Sequence, residues 1–461
     1  MLNHFNFEEK NGQILITNDL GKYAILDHDI FEKFISGSLE PETVEYKELK
    51  EKNFIIEKYT DILAENVQQS IREMKNYLFS ATSLHIFALT NACNLNCIYC
   101  QARNQESDCK EFMSPEVAKK AVKIALHSPE RNLTFEFQGG EPLLNFEAIK
   151  AIVDYTEANK GDKQINYTMT SNLVALNEEK LQYFKRHKIG VSTSLDGPRH
   201  LQEKNRLFLG HGSSYDAVIR GLKKLREYGL STGAIETTTR FSLKYGKEIV
   251  DEYIQNDLHG MFIRPLTPLG FAKDDWSKIG YSAEEFLNFY RETFEYILKL
   301  NKEGTFFSEL TATYFLSKIL NGTAYNFMEL RSPCGAGIGQ MCYYYDGNVY
   351  SCDEGRMVAE AGDPAFKIGT VDNSYDEIVQ NPICKALVIS STNEAIPACS
   401  DCVYQPYCGV CPIINYALEG DIFTRSVKNY RCKIYKGIQD ILFNIIINRP
   451  EDKKILESWL Q

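Results

Sequence analysis

Three cysteines within eight residues, Cys93, Cys97 and Cys100 in the run Thr90-Asn-Ala-Cys-Asn-Leu-Asn-Cys-Ile-Tyr-Cys100, are the side chains of this chain best suited to chemistry. Thiolates hold iron–sulfur clusters, and a cubane has four irons to ligate. Three protein ligands therefore leave one iron open to another molecule. Zinc is the competing use of such a tract, although structural zinc sites more often show paired C-x2–4-C knuckles. Eight further cysteines, Cys334, Cys342, Cys352, Cys399, Cys402, Cys408, Cys411 and Cys432, gather towards the C-terminus. Cys109 and Cys384 stand apart and read as buried or partly buried thiols.

The compartment decides between metal and disulfides. The opening Met1-Leu-Asn-His-Phe-Asn-Phe-Glu-Glu-Lys10 lacks the basic start and apolar core of a signal peptide, so thirteen cysteines point to metal. The late apolar run Ile441-Leu-Phe-Asn-Ile-Ile-Ile447 is too short to span a bilayer. A net charge of −11 argues against broad binding to nucleic acid or anionic membranes. The expectation is a cytoplasmic protein with neither nucleic-acid nor membrane partner.

The elements that must position these cysteines follow from periodicity. Residues 1–80 read as a small module in which two strands (Gln13–Thr17, Gly21–Leu26) precede helices at Asp27–Ile35 and Tyr46–Lys52. A short strand at Asn53–Ile56 and a linking helix at Thr60–Leu78 follow, an order suited to a winged helix. From Leu84, strand candidates Leu84–Thr90, Leu133–Phe137, Ile165–Thr170, Ile189–Ser194, Thr232–Thr237 and Met261–Pro265 alternate with helical stretches. These are Pro115–Leu126, Phe146–Asn159, Glu178–His187, Tyr215–Tyr228, Lys244–Asn256 and Ala283–Asn301. Six βα units predict a parallel sheet, a partial (β/α)6 barrel over residues 81–310. Ligands of such folds sit at the C-terminal strand ends, which here carry the cysteine loop, Gln138–Pro142, Thr170–Asn172, Ser194–Gly197, Glu236 and Arg264. Residues 311–440 have short strands only (Cys342–Asp346, Asn348–Ser351) and need metal cross-links to hold a core. Residues 441–461 form a tail.

Cys93-x3-Cys97-x2-Cys100, with Tyr99 before the last cysteine, resembles the signature of radical S-adenosylmethionine (SAM) enzymes. Gln138-Gly-Gly-Glu-Pro142 is similar to that family's motif after the second strand. The resemblance implies a [4Fe-4S] cluster whose open iron takes SAM, and a 5′-deoxyadenosyl radical as oxidant. It implies SAM contacts at Tyr99, Gln138, Gly139, Gly140 and Glu141, the last toward the methionine ammonium, and at Ser194 and Arg206 toward the carboxylate. A lone Gly-Gly is usually a turn, Ser194 could merely close one, and Arg206 could serve a salt bridge. The late cysteines, Cys334-x7-Cys342-x9-Cys352 and Cys399-x2-Cys402-x5-Cys408-x2-Cys411 followed by Cys432, resemble the SPASM extension, which implies two auxiliary [4Fe-4S] clusters. By order, Cys334, Cys342, Cys352 and Cys411 would bind the first, and Cys399, Cys402, Cys408 and Cys432 the second. The usual spacing before the last cysteine of the tight group is one residue longer, which leaves Cys408 and Cys411 open to exchange, and paired C-x2-C also suits a zinc ribbon.

Leu15–Leu26, Ser83–Thr90, Phe135–Asn145, Thr193–Pro198 and Phe262–Ala272 together look like the B-type radical SAM maturase of His-Xaa-Ser peptide systems. That resemblance implies an oxidoreductase that installs a crosslink or other net oxidation in a ribosomal precursor peptide. The peptide's leader would add a strand to the N-terminal module, which otherwise reads as a stabilising cap. A low-potential electron donor of flavodoxin or ferredoxin type and a second maturase are the further partners implied. The rival functions are oxidation of a sulfatase residue, as by anaerobic sulfatase maturases, peptide epimerisation using Cys109 or Cys384 as hydrogen donor, and a non-catalytic iron–sulfur or zinc protein. No general base is singled out among His85, His187, His200, His211 and His259, while Asp196 and Glu236 lie where they could meet SAM or substrate.

Overall fold

The structure, a computed structural model, describes residues 1–58, 60, 64–102, 110–323, 330–423 and 429–461. Cys109 lies outside the described residues. The N-terminal strands are β1 (Asn6–Lys10), β2 (Gln13–Thr17) and β3 (Tyr23–Leu26). The central ones are β4 (Leu84–Ala88), β5 (Leu95–Cys97), β6 (Asn132–Gln138), β7 (Gln164–Thr170), β8 (Gly190–Ser194) and β9 (Arg206–Phe208). They continue as β10 (Thr232–Thr237), β11 (Gly260–Arg264), β12 (Ser308–Glu309), β13 (Gln340–Tyr344), β14 (Asn348–Tyr350) and β15 (Lys367–Thr370).

Ten of these make one sheet in the order β12-β11-β10-β8-β7-β6-β4-β13-β14-β15. The six strands expected from periodicity, β4, β6, β7, β8, β10 and β11, are neighbours in chain order and parallel. Strand β6 shows why. Leu133, Phe135 and Phe137 are buried, and the alternate Thr134, Glu136 and Gln138 are half-buried. Its apolar face packs under the crossover helices and its polar face lines the concave side. The helix Pro115–Leu126 starts where Ser114 accepts the Val117 N–H and Pro115 supplies a pre-set φ, and it buries Ala118, Ala121, Val122 and Ala125 against the sheet.

The sheet does not stop near residue 310. β13 pairs in parallel with β4, Gln340 opposite Leu84 and Tyr344 opposite Ala88, and β14 and β15 then add antiparallel. The cysteine-rich region thus extends the barrel sheet, and one apolar core joins Phe87 and Phe135 to Tyr343, Tyr407 and Leu442. The helix Tyr430–Asn448, which carries Cys432, runs on past residue 441.

In the N-terminal module, three strands precede the helices rather than two, because Asn6–Lys10 pairs antiparallel with β2. Asn53–Ile56 forms no strand; only Ile55 bridges back to Leu2. Of the expected linking helix Thr60–Leu78, residues 61–63 lie outside the described residues; Glu65–Met74 is helical and a 3-10 turn follows at Asn76–Phe79. The module is pinned to the C-terminal cysteines: the Asn6 amide donates to the carbonyls of Ser400 and Cys402 at 2.9 and 3.1 Å, and Thr17 Oγ1 to that of Val403 at 2.7 Å. Among the described residues no helix is long and apolar enough to cross a membrane.

Candidate active site

At the C-terminal edge of the parallel strands, a cavity of about 210 Å³ gathers Cys93, Cys97 and Cys100 with Tyr99, Gln138, Gly139, Gly140, Glu141, Ser194 and Arg206. Every residue expected to meet SAM or the first cluster borders this one space. Its wall also holds Asn172, Thr237, Arg264 and Met357. Asn172 donates to Cys93 Sγ at 3.7 Å and to Asn94 Oδ1 at 2.7 Å, steadying the cysteine loop. Met357 comes from the helix Asp353–Glu360; nothing in its local sequence points across the sheet to this cavity.

The glycines of Gln138–Pro142 serve the cysteine loop itself. A Cβ on Gly139 would lie 2.5 Å from the Thr90 carbonyl oxygen, and one on Gly140 would lie 2.2 Å from that of Ala92. The backbones are joined there: Gly140 N–H donates to Thr90 O at 2.7 Å and Glu141 N–H to Ala92 O at 2.8 Å. Glu141 is buried and receives Ser171 Oγ at 2.7 Å, Asn172 N at 2.8 Å and Leu143 N at 3.1 Å. Burial raises its pKa against those hydrogen bonds. Its carboxyl thus ties the second strand end to the third, beside the cavity. Gln138 is turned onto Glu136, Nε2 to Oε1 at 2.8 Å.

Arg206 is engaged on two sides. Nε and Nη2 grip Asp196 Oδ2 and Oδ1 at 3.1 and 3.2 Å, and Nη1 approaches Cys97 Sγ at 3.9 Å. Asp196, named in the sequence only as a strand-end acid, is fully buried and central. Glu236, also buried, is not among the residues lining this cavity: Oε2 accepts from Thr238 Oγ1 at 2.7 Å, and burial and then the Asp196 charge push its pKa well up. Of the five histidines considered, His85 is wholly buried beside the Tyr343 hydroxyl at 2.9 Å, and burial lowers its pKa to about 3.

The eight late cysteines fall into groups. Cys399, Cys402, Cys408 and Cys432 line a second cavity of about 60 Å³ with Lys436 and Arg431, and Cys411 also borders it. Cys408 is pushed up to about 12 by burial and by Cys432, Cys402 and Cys399, with Lys318 opposing. Cys334, Cys352 and Cys411 share one apolar cluster. Cys342 does not join them. It lies in another cluster with Ile86, Tyr344 and Tyr350, in register with Ile86 of β4, and burial raises its thiol pKa while the Arg356 charge opposes the shift. Assignment by order places Cys342 with Cys334, Cys352 and Cys411; in the fold Cys342 sits inside β13, whose pairing with β4 fixes where it faces. Cys384 packs under Gly337, its Sγ 2.6 Å from where a Cβ there would stand, and is not among the residues lining the barrel-mouth cavity.

Among the described residues no three His, Cys, Asp or Glu side chains close on a single metal ion; the fit that can be tested is donor chemistry. Burial pushes Cys97 up to about 12, with Cys100 and Cys93 adding to it and Arg206 opposing, and holds Cys334 and Cys399 at about 11. Thiols so buried become thiolates only against added positive charge, which bound iron supplies. The donor set at Cys93, Cys97 and Cys100 fits an iron–sulfur cluster.

A parallel sheet with a three-cysteine loop and a Gly-Gly-Glu-Pro turn at one rim defines a radical SAM fold. Residues 87–249 match the Radical SAM superfamily. The cysteine-type anaerobic sulfatase-maturating enzyme of Clostridium novyi (strain NT) is 24% identical over 336 residues, 71% of this chain and 86% of that one. The serine-type enzyme of Bacteroides thetaiotaomicron is 22% identical over 368 residues, 74% of this chain and 85% of that one. Among solved structures, native anSMEcpe with bound AdoMet has a TM-score of 0.69 at 20% identity, spanning 82% of this chain and 100% of that one. Streptococcus suis SuiB bound to precursor peptide SuiA has a TM-score of 0.56 at 17% identity, spanning 93% and 99%. Residues 87–249 thus carry a Radical SAM superfamily domain, the chain is similar in sequence to anaerobic sulfatase-maturating enzymes over most of its length, and it shares its fold with SuiB. A [4Fe-4S] cluster and SAM are the cofactors that go with that superfamily.

Proposed function

We propose that this chain is an oxidoreductase that modifies a ribosomally made precursor peptide, with His-Xaa-Ser repeats as the substrate class, by a crosslink or other net oxidation. The observation that carries the reading is the single cavity shared by the three cysteines and the Gly-Gly-Glu-Pro turn. In it Cys93, Cys97 and Cys100 hold the SAM-binding cluster. The other cavity-facing residues, Tyr99, Gln138, Ser194 and Arg206 with Gly139–Glu141, shape the space for SAM. When bound, cluster and SAM supply a 5′-deoxyadenosyl radical that removes a substrate hydrogen. Cys399, Cys402, Cys408 and Cys432 hold one auxiliary cluster, and Cys334, Cys352 and Cys411 the other, with Cys342 outside the set. That makes three [4Fe-4S] clusters.

The N-terminal sheet supports a peptide substrate. Among the described residues β1 and β3 each have a strand neighbour on one side only, so either edge can accept an added strand through backbone hydrogen bonds. An exposed Phe7 packs 5.1 Å from Phe31 beside β1, a side-chain anchor for such a strand. SuiB was solved bound to its precursor peptide, and anSMEcpe with bound peptides. The test is co-expression with the neighbouring short reading frame, read by mass spectrometry. A mass loss of hydrogen on that peptide, absent when Cys93, Cys97 and Cys100 are alanine, is expected. Release of 5′-deoxyadenosine by the triple alanine variant refutes the assignment.

A second reading, oxidation of a sulfatase cysteine or serine, is favoured by the higher TM-score to anSMEcpe. A sulfatase-derived peptide converted while the neighbouring peptide stays unchanged selects it.

A further inference from the structure

Resting on the reading that Cys93, Cys97 and Cys100 hold the SAM-binding cluster, we propose that Asp196 is a positioning residue that aims Arg206 at the Cys97 sulfur and so sets how readily that cluster is reduced. The backbone fixes the two partners first. β5 and β9 pair antiparallel with Cys97 opposite Arg206, and the ladder is lengthened by Ile98 N–H to Asn205 O at 2.9 Å and Leu209 N–H to Asn94 O at 3.1 Å. The short strand after the fourth barrel strand therefore holds the cysteine loop along its length.

The side chains then lock. Arg206 spends Nε and Nη2 on Asp196, which leaves Nη1 directed at Cys97 Sγ, 3.9 Å away. The Asp196 carboxylate is 0% exposed and takes three more donors: Tyr99 Oη at 2.7 Å, Asn205 Nδ2 at 3.3 Å and Thr237 N at 3.3 Å. Its own N–H is held by Gln202 Oε1 at 2.7 Å. Tyr99 stands between Cys97 and Cys100, and its ring lies 5.2 Å from the guanidinium carbon. A buried ion pair is unfavourable unless its hydrogen bonds are complete; here they are, so the guanidinium has one orientation.

That orientation matters to an iron–sulfur centre. Hydrogen bonds to ligand sulfur and nearby positive charge favour the reduced, more negative state and raise the potential. The expectation that Arg206 serves the SAM carboxylate leaves this unexplained, since Nε, Nη1 and Nη2 are directed at protein atoms.

The experiment is a potentiometric titration of the reconstituted full chain without SAM. It follows the EPR signal that is missing from the Cys93/Cys97/Cys100 triple alanine variant. Arg206→Gln should lower the reduced-to-oxidised ratio at a fixed potential about tenfold, a shift of about 59 mV for one electron, and Asp196→Glu, which keeps the charge but displaces the carboxylate that aims Arg206, should shift it the same way. Tyr99→Phe, the mildest change, should shift it the same way by less. Arg206→Lys should restore part of the loss only while Asp196 is present. Unchanged midpoints in Arg206→Gln and Tyr99→Phe, with SAM binding weakened in the former, would overturn the proposal and return Arg206 to the SAM carboxylate. If the wild type shows no signal that depends on those three cysteines, the cluster reading itself fails.

Discussion

Replacing Gly140 with alanine tests how the Gly-Gly-Glu-Pro turn works. Gly140 has no left-handed φ among the glycines that do, so the change acts by sterics alone. Its Cβ would stand 2.2 Å from Ala92 O, 2.7 Å from Ala92 C and 2.8 Å from Asn91 O, all backbone atoms of the cysteine loop. Reaching an ordinary contact of about 3.5 Å requires the two backbones to part by roughly 1.3 Å. That breaks the hydrogen bonds from Gly140 N–H to Thr90 O and from Glu141 N–H to Ala92 O, worth about 1 kcal/mol each. Overpacking adds about 1–3 kcal/mol, so the local cost is about 3–5 kcal/mol. Gly233 is the control, since nothing lies within 4 Å of its Cβ and its φ is ordinary. Iron content and hydrogen exchange at Thr90–Cys100 are the assays. Gly140→Ala should lose iron equal to one cubane and exchange faster through the loop, while Gly233→Ala does neither. Full iron and unchanged protection in Gly140→Ala would refute the claim that these glycines exist to let two backbones touch.

Cys342→Ala should keep the iron of the first auxiliary site, whereas Cys334→Ala, Cys352→Ala and Cys411→Ala each lose about four irons; equal loss in all four variants, by iron and sulfide assay, returns Cys342 to the ligands. Glu309, buried at the start of the helix Leu310–Asn321, accepts from Tyr290 Oη at 2.5 Å, Ala312 N at 2.7 Å, Thr311 N at 3.1 Å and Ile263 N at 3.2 Å. Glu309→Ala strands those donors and should cost about 2–4 kcal/mol in denaturant unfolding of the apo-protein. His85 has a folded pKa of about 3 against 6.5 unfolded because burial disfavours its charge. The unfolded chain therefore binds the extra proton between pH 6.5 and 3. Stability should fall by about 1.4 kcal/mol per pH unit below 6.5, and His85→Gln should flatten that slope in thermal melts.

The barrel was legible because each βα unit announces itself locally. Leu133, Phe135 and Phe137 alternate with polar residues, and Pro115–Leu126 carries its own cap. Short motifs placed the cavity for the same reason: three cysteines and a Gly-Gly pair lie at adjacent strand ends. What escaped was non-local. β1, with Phe7-Glu-Glu-Lys10, is a strand only through its pairing with β2. Cys342 was grouped by order along the chain, while its facing is set by pairing with β4. Asp196 looked like one more loop acid, because its partners Tyr99, Asn205 and Arg206 come from the cysteine loop and from the next crossover.

The seam between β4 and β13 constrains the order in which this protein can be made. β4 delivers the cysteine loop, and one of its two neighbours, β6, follows within fifty residues; the other is supplied only when Gln340–Tyr344 has left the ribosome. Until then β4 carries a bare edge, and such edges recruit foreign strands. A nascent chain truncated before residue 340 should therefore be the aggregation-prone species, and the late cysteine segment, whatever metal it carries, acts as the stitch that closes the sheet around the first cysteines.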